Sequence, residues 1–249
     1  MGDPGQDKDD YTPAPSEVPR DGKHKPSRRQ VITGTAAAAA GVGMVSIPAT
    51  ADAATAASVV SLGPAGTTTV EFRGRVTQSG PSGQSFISYG YLTRASNADV
   101  SGLFAGTPPI EMSEKTALLT AYATGDLHAR TVDVSVHSLD IVGTLTVYQR
   151  SSPGATFDDP SSFQAGTPVA SYDMTLQDVL TVFMPGQGLP TLTGDMVQTA
   201  VQTLSGPLAG QKFGSKGTRL RFFATGLGVL TDPVKPNSQL EIAGNWSIE

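Results

Sequence analysis

Alternation of apolar and polar side chains is the feature that most constrains the fold of this chain. Residues 67–77, TTTVEFRGRVT, place Val70, Phe72 and Val76 on one side of an extended backbone and charged side chains on the other. A period of two is typical of a strand with one buried face. Similar segments rich in Thr and Val are separated by Pro, Gly, Asn, Asp and Ser, which predicts an all-β domain of eight or nine strands. These further segments are 85–94, 116–128, 132–149, 168–173, 176–183, 194–204, 218–230 and 239–248.

Glycines inside these segments favour a closed sheet. A glycine within a strand usually marks a bend, a bulge or a close approach of two backbones. Closing a sheet requires such bends and removes its exposed edges. We therefore predict a single antiparallel β-barrel, with a two-sheet β-sandwich as the alternative. The glycines concerned are Gly74, Gly90, Gly125, Gly143, Gly226, Gly228 and Gly244.

The first part of the chain has a different composition. Residues 1–26 are rich in Asp, Lys, Pro and Gly and contain few large apolar side chains, so we expect them to be disordered. Arg28 and Arg29 then precede residues 31–47, a weakly apolar stretch without a charged residue, which is the layout of an export signal. This stretch is shorter than the roughly 20 apolar residues of a membrane span, so we expect no stable membrane anchor.

The sequence Ala-Asp-Ala that follows this stretch predicts the end of the leader. Small residues in this pattern are accepted by signal peptidases, which places the cut between Ala53 and Ala54. The predicted organisation is therefore a disordered leader and signal peptide over residues 1–53 and one all-β domain over residues 54–249.

The arginine pair has a more specific resemblance. Residues 27–32, SRRQVI, resemble the core of the bacterial twin-arginine (Tat) signal. The resemblance covers only the leader, and it implies that the Tat translocase exports an already folded protein to a secreted or extracytoplasmic location. The chain contains no cysteine, which is consistent with folding in a reducing cytosol and excludes disulfides, thiolate metal sites and a thiol nucleophile.

The segment 116–149 contains the candidate catalytic residues. A turn at Ala129-Arg130 would pair Leu127 with Val132 and direct polar side chains to the opposite face. Two nearby carboxylates can shift each other's pKa or hold a cation, and a histidine can act as a base. The alternative interpretation is a solvent-facing polar hairpin. The candidates are His137, Tyr122, Asp126, His128 and Asp133.

His137 is the single most favoured functional residue. The apolar side chains change parity between Val136 and Leu139, which predicts a β-bulge near His137 and Ser138 and places Tyr122 opposite the imidazole. Histidine readily exchanges a proton near neutral pH. The sequence contains no strong pattern of metal ligands and no nucleotide-binding motif, so no metal site and no cofactor are predicted.

Composition narrows the classes of function. The formal net charge is −5 and the basic residues of the β domain do not cluster, which argues against a nucleic-acid partner. The first hypothesis is a non-enzymatic exported barrel that binds a small apolar ligand or a partner at the cell surface.

The second hypothesis is a lumen-site isomerase or cyclase that acts on an apolar substrate. Strands interrupted by glycine, such as residues 67–77, resemble the layout of the allene oxide cyclase and dirigent barrels. That resemblance implies such an activity but matches no motif, so it assigns no catalytic residue. Whether the protein is an enzyme stays open at this point.

Overall fold

The computed structural model describes residues 59–60, 66, 68–96, 98–106, 111–232, 234–235 and 237–249. The export residues Arg28 and Arg29 and the cleavage residues Ala53 and Ala54 lie outside these ranges.

Eight antiparallel strands close into a barrel. The prediction of an all-β barrel is therefore confirmed, and the two-sheet sandwich is not the fold. A separate parallel pair consists of β1 (Val59–Val60) and β8 (Lys212–Phe213). The barrel strands are β2 (Thr68–Ser79), β3 (Ser85–Ala95), β4 (Leu119–Asp133), β5 (Val136–Gln149), β6 (Thr167–Met184), β7 (Gln187–Val201), β9 (Arg219–Asp232) and β10 (Asn237–Ile248). They pair in the order β10-β2-β3-β4-β5-β6-β7-β9, and β9 pairs with β10.

Alternate residues of each strand point into the barrel, as the period of two predicts. In β2 the buried apolar residues are Val70, Phe72 and Val76. Several inward positions are glycines because neighbouring backbones approach too closely for a side chain. A Cβ on Gly143 would lie 2.1 Å from the Thr124 carbonyl oxygen.

The two ends of the barrel differ. The hairpin turns that join β2 to β3, β4 to β5, β6 to β7 and β9 to β10 lie at one end, here called the open end. The longer connections at the opposite end contain the short helix α1 (Val100–Leu103) and two 3₁₀ segments, Pro160–Gln164 and Gly206–Leu208. Buried residues of these connections, including Leu103, Leu208 and Phe213, belong to the main core.

Aromatic rings fill the lumen toward that opposite end. Phe72 lies 5.3 Å from Phe222 and 5.9 Å from Trp246, and Tyr172 lies 5.8 Å from Trp246, measured between ring centroids. Contacts of this kind add stability beyond the burial of apolar area. Burial also raises the pKa of the Tyr172 phenol above its ordinary range. The lumen near the open end is lined mainly by aliphatic side chains.

The connection between β5 and β6 packs against the outer wall of the barrel. Phe157 and Phe163 contact each other and Tyr89 of β3, with ring centroids 5.2–6.0 Å apart. The Thr120 hydroxyl donates a 2.7 Å hydrogen bond to the Phe163 carbonyl oxygen, and the Arg75 guanidinium lies 4.7 Å from the centre of the Phe157 ring. This connection therefore covers the outer face of β2, β3 and β4.

The pairing of β2 with β10 closes the barrel. The Thr69 hydroxyl donates to the Trp246 carbonyl oxygen at 3.1 Å, and the Ser238 hydroxyl donates to the Gln78 side-chain oxygen at 3.0 Å. An ion pair between Arg75 and Glu241 spans the same two strands on the outer face.

The β4–β5 hairpin differs from its prediction. The turn lies at Val134 and Ser135, not at Ala129-Arg130, and Val132 pairs with His137 instead of Leu127. Val134 has a positive φ of 44°, a conformation that β-branched residues rarely adopt. Val-Ser is not one of the usual sequences of a two-residue turn, so the sequence does not mark this position as a turn. Strand β6 is also continuous, although the sequence pattern divided it into two segments.

The predicted bulge lies on the other strand of this hairpin. The register of β4 against β5 shifts between Leu127 and Ala129, so His128 is the extra residue, whereas β5 is regular at His137 and Ser138.

Among the described residues, no helix is long and apolar enough to span a membrane.

Candidate functional site

A cavity of about 220 Å³ occupies the lumen at the open end. Two smaller cavities, of about 40 and 30 Å³, lie deeper and share lining residues in succession, which connects the open end to the aromatic rings. The aliphatic side chains around the large cavity include Val76, Leu139, Ile141, Leu180, Val182, Leu192 and Leu240. The site is therefore a mostly apolar pocket inside a rigid wall of strands, which is the usual setting for a small-molecule site.

Asp178 places a buried carboxyl group in this mostly apolar wall. It lies on β6 between its register partners Leu139 and Leu192, and only 5% of its surface is exposed. The Thr191 backbone N–H donates a hydrogen bond to the carboxyl group, but Oδ1 has no partner. Burial raises the pKa of the Asp178 carboxyl to about 6, against the smaller opposing effect of the Thr191 bond.

An unpartnered acceptor in this position is unusual. Most buried polar atoms in proteins have a hydrogen-bond partner, and a carboxyl oxygen without one destabilises the fold by roughly 1–3 kcal/mol. A water molecule or a polar group of a ligand that enters the pocket can donate a hydrogen bond to Asp178 Oδ1.

Two other polar side chains of the pocket, Gln78 and Ser238, form hydrogen bonds within the protein. The Gln78 side-chain amide donates to the Gly83 carbonyl oxygen at 2.7 Å, while its oxygen accepts from Ser238. These bonds fix the rim between the first and last barrel strands. Among the buried side-chain atoms of this lining that the structure describes, Asp178 Oδ1 is the acceptor without a partner.

Two basic residues border the pocket. His137 shares the inward parity of Leu139 and Ile141 and is half-buried. Burial lowers the pKa of the His137 imidazole, and the nearby Arg130 guanidinium lowers it further. Arg130 pairs with Leu139 and lines the pocket. It faces the lumen because the extra residue His128 shifts the alternation of inward and outward side chains in β4 by one position.

The structure brings His137, alone of the five predicted catalytic residues, to the pocket. Asp126, His128 and Asp133 are exposed: Asp126 pairs with Val142, His128 is the bulged residue, and Asp133 ends its strand. Tyr122 pairs with Thr146 on the outer wall, where it packs near Phe163 and Tyr89, so it does not face His137. Burial raises the pKa of the Tyr122 phenol, with smaller contributions from Tyr148 and Tyr89.

Asp178 was not among the sequence candidates, although the sequence does contain a signal for it. It shares the parity of Tyr172, Met174, Leu176 and Leu180, which are apolar residues of one strand. A charged residue on the apolar face of a strand must be buried, paired or functional. Division of this strand in the sequence interpretation concealed that continuous parity.

Geometry therefore supports two kinds of chemistry. The pocket can bind an apolar molecule and accept one hydrogen bond from it. Asp178 and His137, which line the same pocket, can each donate a proton to a bound molecule or accept one from it. Within the described ranges, no group of three or more His, Asp or Glu side chains is arranged to hold a metal ion.

Comparison with protein-family models, curated proteins and solved structures finds no match.

Proposed function

We propose that this protein is an exported β-barrel that binds a small apolar ligand in its lumen. The observation that carries the proposal is the cavity of about 220 Å³ at the open end, lined by aliphatic side chains and reached between hairpins. Burial of apolar surface contributes roughly 25 cal/mol per Å², so an apolar molecule in such a pocket gains most of its affinity from the wall.

The volume of the cavity limits the size of the ligand. An engineered cavity of about 150 Å³ in another protein accepts benzene, so a cavity of about 220 Å³ suits a molecule of roughly nine non-hydrogen atoms. A longer molecule can extend through the open end. The leader that resembles a Tat signal supports the proposal that this binding occurs outside the cytoplasm.

Probe binding by the full chain tests the proposal. N-phenyl-1-naphthylamine becomes fluorescent in apolar surroundings. Its naphthyl group is close in size to the cavity and its phenyl group can extend through the open end, so the wild-type protein should increase its emission. Val182 points into the pocket near the open end, and Val182→Trp should abolish the increase by filling that space. Thr181 is exposed on the outer face of the same strand, so Thr181→Trp is the matched control and should bind like the wild type.

The two variants also separate lumen binding from adsorption to the outer wall. Equal emission from both tryptophan variants, each with an unchanged β-type circular dichroism spectrum, would contradict binding in the lumen.

A lumen-site isomerase or cyclase is the second candidate function. One observation favours it: Asp178, with a carboxyl pKa of about 6, and His137, with a lowered imidazole pKa, line the same apolar pocket. A carboxyl group with a raised pKa and an imidazole with a lowered pKa can act as the acid and the base that move a proton between two carbon atoms of a bound substrate. Turnover of an apolar unsaturated substrate that His137→Gln reduces without loss of probe binding would distinguish an enzyme from a carrier.

A further inference from the structure

We propose that the pocket selects apolar ligands with an uncharged hydroxyl head group, which donates a hydrogen bond to Asp178 Oδ1. This inference rests on the proposed lumen binding and adds the chemical class of the ligand. The carboxyl group lies inside the wall of the 220 Å³ cavity, is 5% exposed and has an oxygen without a partner. An unpaired acceptor surrounded by aliphatic side chains favours a ligand with an apolar body and one donor.

The hydrogen-bond partners inside the pocket specify a donor rather than an acceptor. An ionised carboxylate accepts hydrogen bonds and cannot donate them. The Thr191 N–H already uses one part of the carboxyl group, and Gln78 and Ser238 bond to each other and to Gly83. A ligand whose head can only accept, such as an ether, would leave Asp178 Oδ1 unpaired.

Charges around the pocket argue for an uncharged donor. Arg130 and His137 are the charged or titratable side chains that line the cavity beside Asp178. Arg130 belongs to the same register row as Asp178, with Leu139 between them, so a cationic head group would lie near a second cation. An anionic head group would instead be repelled by Asp178 itself. A hydroxyl group avoids both repulsions and gains a charge-assisted hydrogen bond.

A matched pair of ligands measures this selectivity directly. 1-Nonanol and 1-methoxyoctane are isomers of equal chain length, and only the alcohol has a donor. Displacement of N-phenyl-1-naphthylamine from the wild-type full chain at pH 7.5 should require roughly tenfold less alcohol than ether, which is the contribution of one charge-assisted hydrogen bond. In Asp178→Leu the two ligands should displace the probe equally, because the acceptor is absent.

Several outcomes would overturn the inference. Equal displacement by the two isomers in the wild type, or an alcohol preference that survives in Asp178→Leu, would exclude Asp178 as the hydroxyl partner. Displacement by 1-nonylamine at a concentration tenfold lower than that of 1-nonanol would identify a cation as the preferred head group instead. Probe binding that persists in these cases leaves lumen binding intact, whereas absence of probe binding to the wild type contradicts both proposals.

A pH series on the wild-type chain provides the same test without a substitution at Asp178. The carboxyl pKa of about 6 makes Asp178 an anion at pH 7.5 and largely neutral at pH 5, so the alcohol preference should decrease as the pH falls. His137→Gln should show the same decrease, because the proposal assigns the effect to the carboxyl group. A preference that is constant from pH 5 to 7.5, or that loses its pH dependence in His137→Gln, would overturn the assignment.

Discussion

At the scale of single residues, the decisive feature is a buried carboxyl group in a mainly aliphatic wall. The parity of β6 could have predicted Asp178 as inward-facing, because Met174, Leu176 and Leu180 on either side of it are inward residues. Sequence alone could not show that its Oδ1 lacks a partner. That fact depends on which backbone N–H groups and side chains of β5 and β7 reach it, and hence on the register of three strands.

The raised pKa of Asp178 predicts a specific dependence of stability on pH. The folded protein holds this proton up to about pH 6, whereas the unfolded chain loses it near the ordinary value of 3.8. The contribution of Asp178 to the free energy of unfolding is therefore greatest below pH 3.8 and decreases by about 3 kcal/mol as the pH rises through 6. Asp178→Asn should remove that decrease, as measured by urea unfolding at pH 4, 5, 6 and 7.

Two comparisons isolate the effect of this one carboxyl group. Asp173→Asn removes a solvent-exposed carboxyl group from the outer face of the same strand and should retain the wild-type dependence. The lowered pKa of His137 acts in the opposite sense, since protonation of its imidazole favours the unfolded chain as the pH falls below 6.5. The difference between Asp178→Asn and wild type is therefore the quantity to compare. A difference that does not vary between pH 4 and 6 would contradict the raised pKa.

At the scale of strands and hairpins, apolar alternation predicted the presence of most elements but not their ends. The position of the β4–β5 turn was predicted wrongly because Val134 and Ser135 are not the glycine or asparagine that normally marks a two-residue turn. The valines at 132, 134 and 136 belong to an exposed extension of the hairpin, so their alternation does not indicate which strand face lines the barrel interior. The parity of Leu139, Ile141, Leu145 and Val147 does, and all four are buried.

Strand β9 contains a sharp test of the inward glycines. A Cβ on Gly226 would lie 1.8 Å from the Glu241 carbonyl oxygen, whereas a Cβ on Gly228 would meet no atom closer than 3.4 Å. Gly226→Ala should therefore lower the free energy of unfolding by about 3 kcal/mol, because the backbone of β10 must move away. Gly228→Ala, on the same face and two residues along, should change it by less than about 1 kcal/mol.

Thermal unfolding of the two glycine variants measures this difference. A domain of this size loses roughly 2–4 °C of melting temperature per kcal/mol, so Gly226→Ala should melt several degrees below Gly228→Ala. Equal melting temperatures would mean that the close approach of β9 and β10 does not require glycine at position 226.

At the scale of the whole molecule, the glycines gave enough information to favour a barrel over a sandwich. Closure itself could be anticipated because glycines inside the strand segments allow the bends and close backbone approaches that a closed sheet requires. The lumen cavity could not, since its volume depends on how far aromatic side chains from four strands reach toward the open end. The aromatic residues are Phe72, Tyr172, Phe222 and Trp246.

Export is the property of the whole chain that remains a proposal. Replacement of both Arg28 and Arg29 by Lys should retain the protein inside the producing cell, because the translocase recognises guanidinium groups and lysine provides only a point charge. The matched control is replacement of Lys23 and Lys25 by Arg, which conserves charge outside the arginine pair and should leave export unchanged. Immunoblots of cell and medium fractions provide the measurement, and normal secretion of the double-lysine variant would contradict the Tat assignment.

The pairing of β2 with β10 also has a consequence for how the barrel folds. Nearly every other pair in the barrel joins strands that follow each other along the chain, so these hairpins can form from local contacts. The closing pair instead joins residues such as Thr69 and Trp246, which are 177 positions apart. The entropy of closing so long a loop is lost before the contacts of that pair form. We therefore expect the union of the first and last barrel strands to be the slow, rate-limiting step of folding, and the open sheet before it to be the species most prone to aggregation.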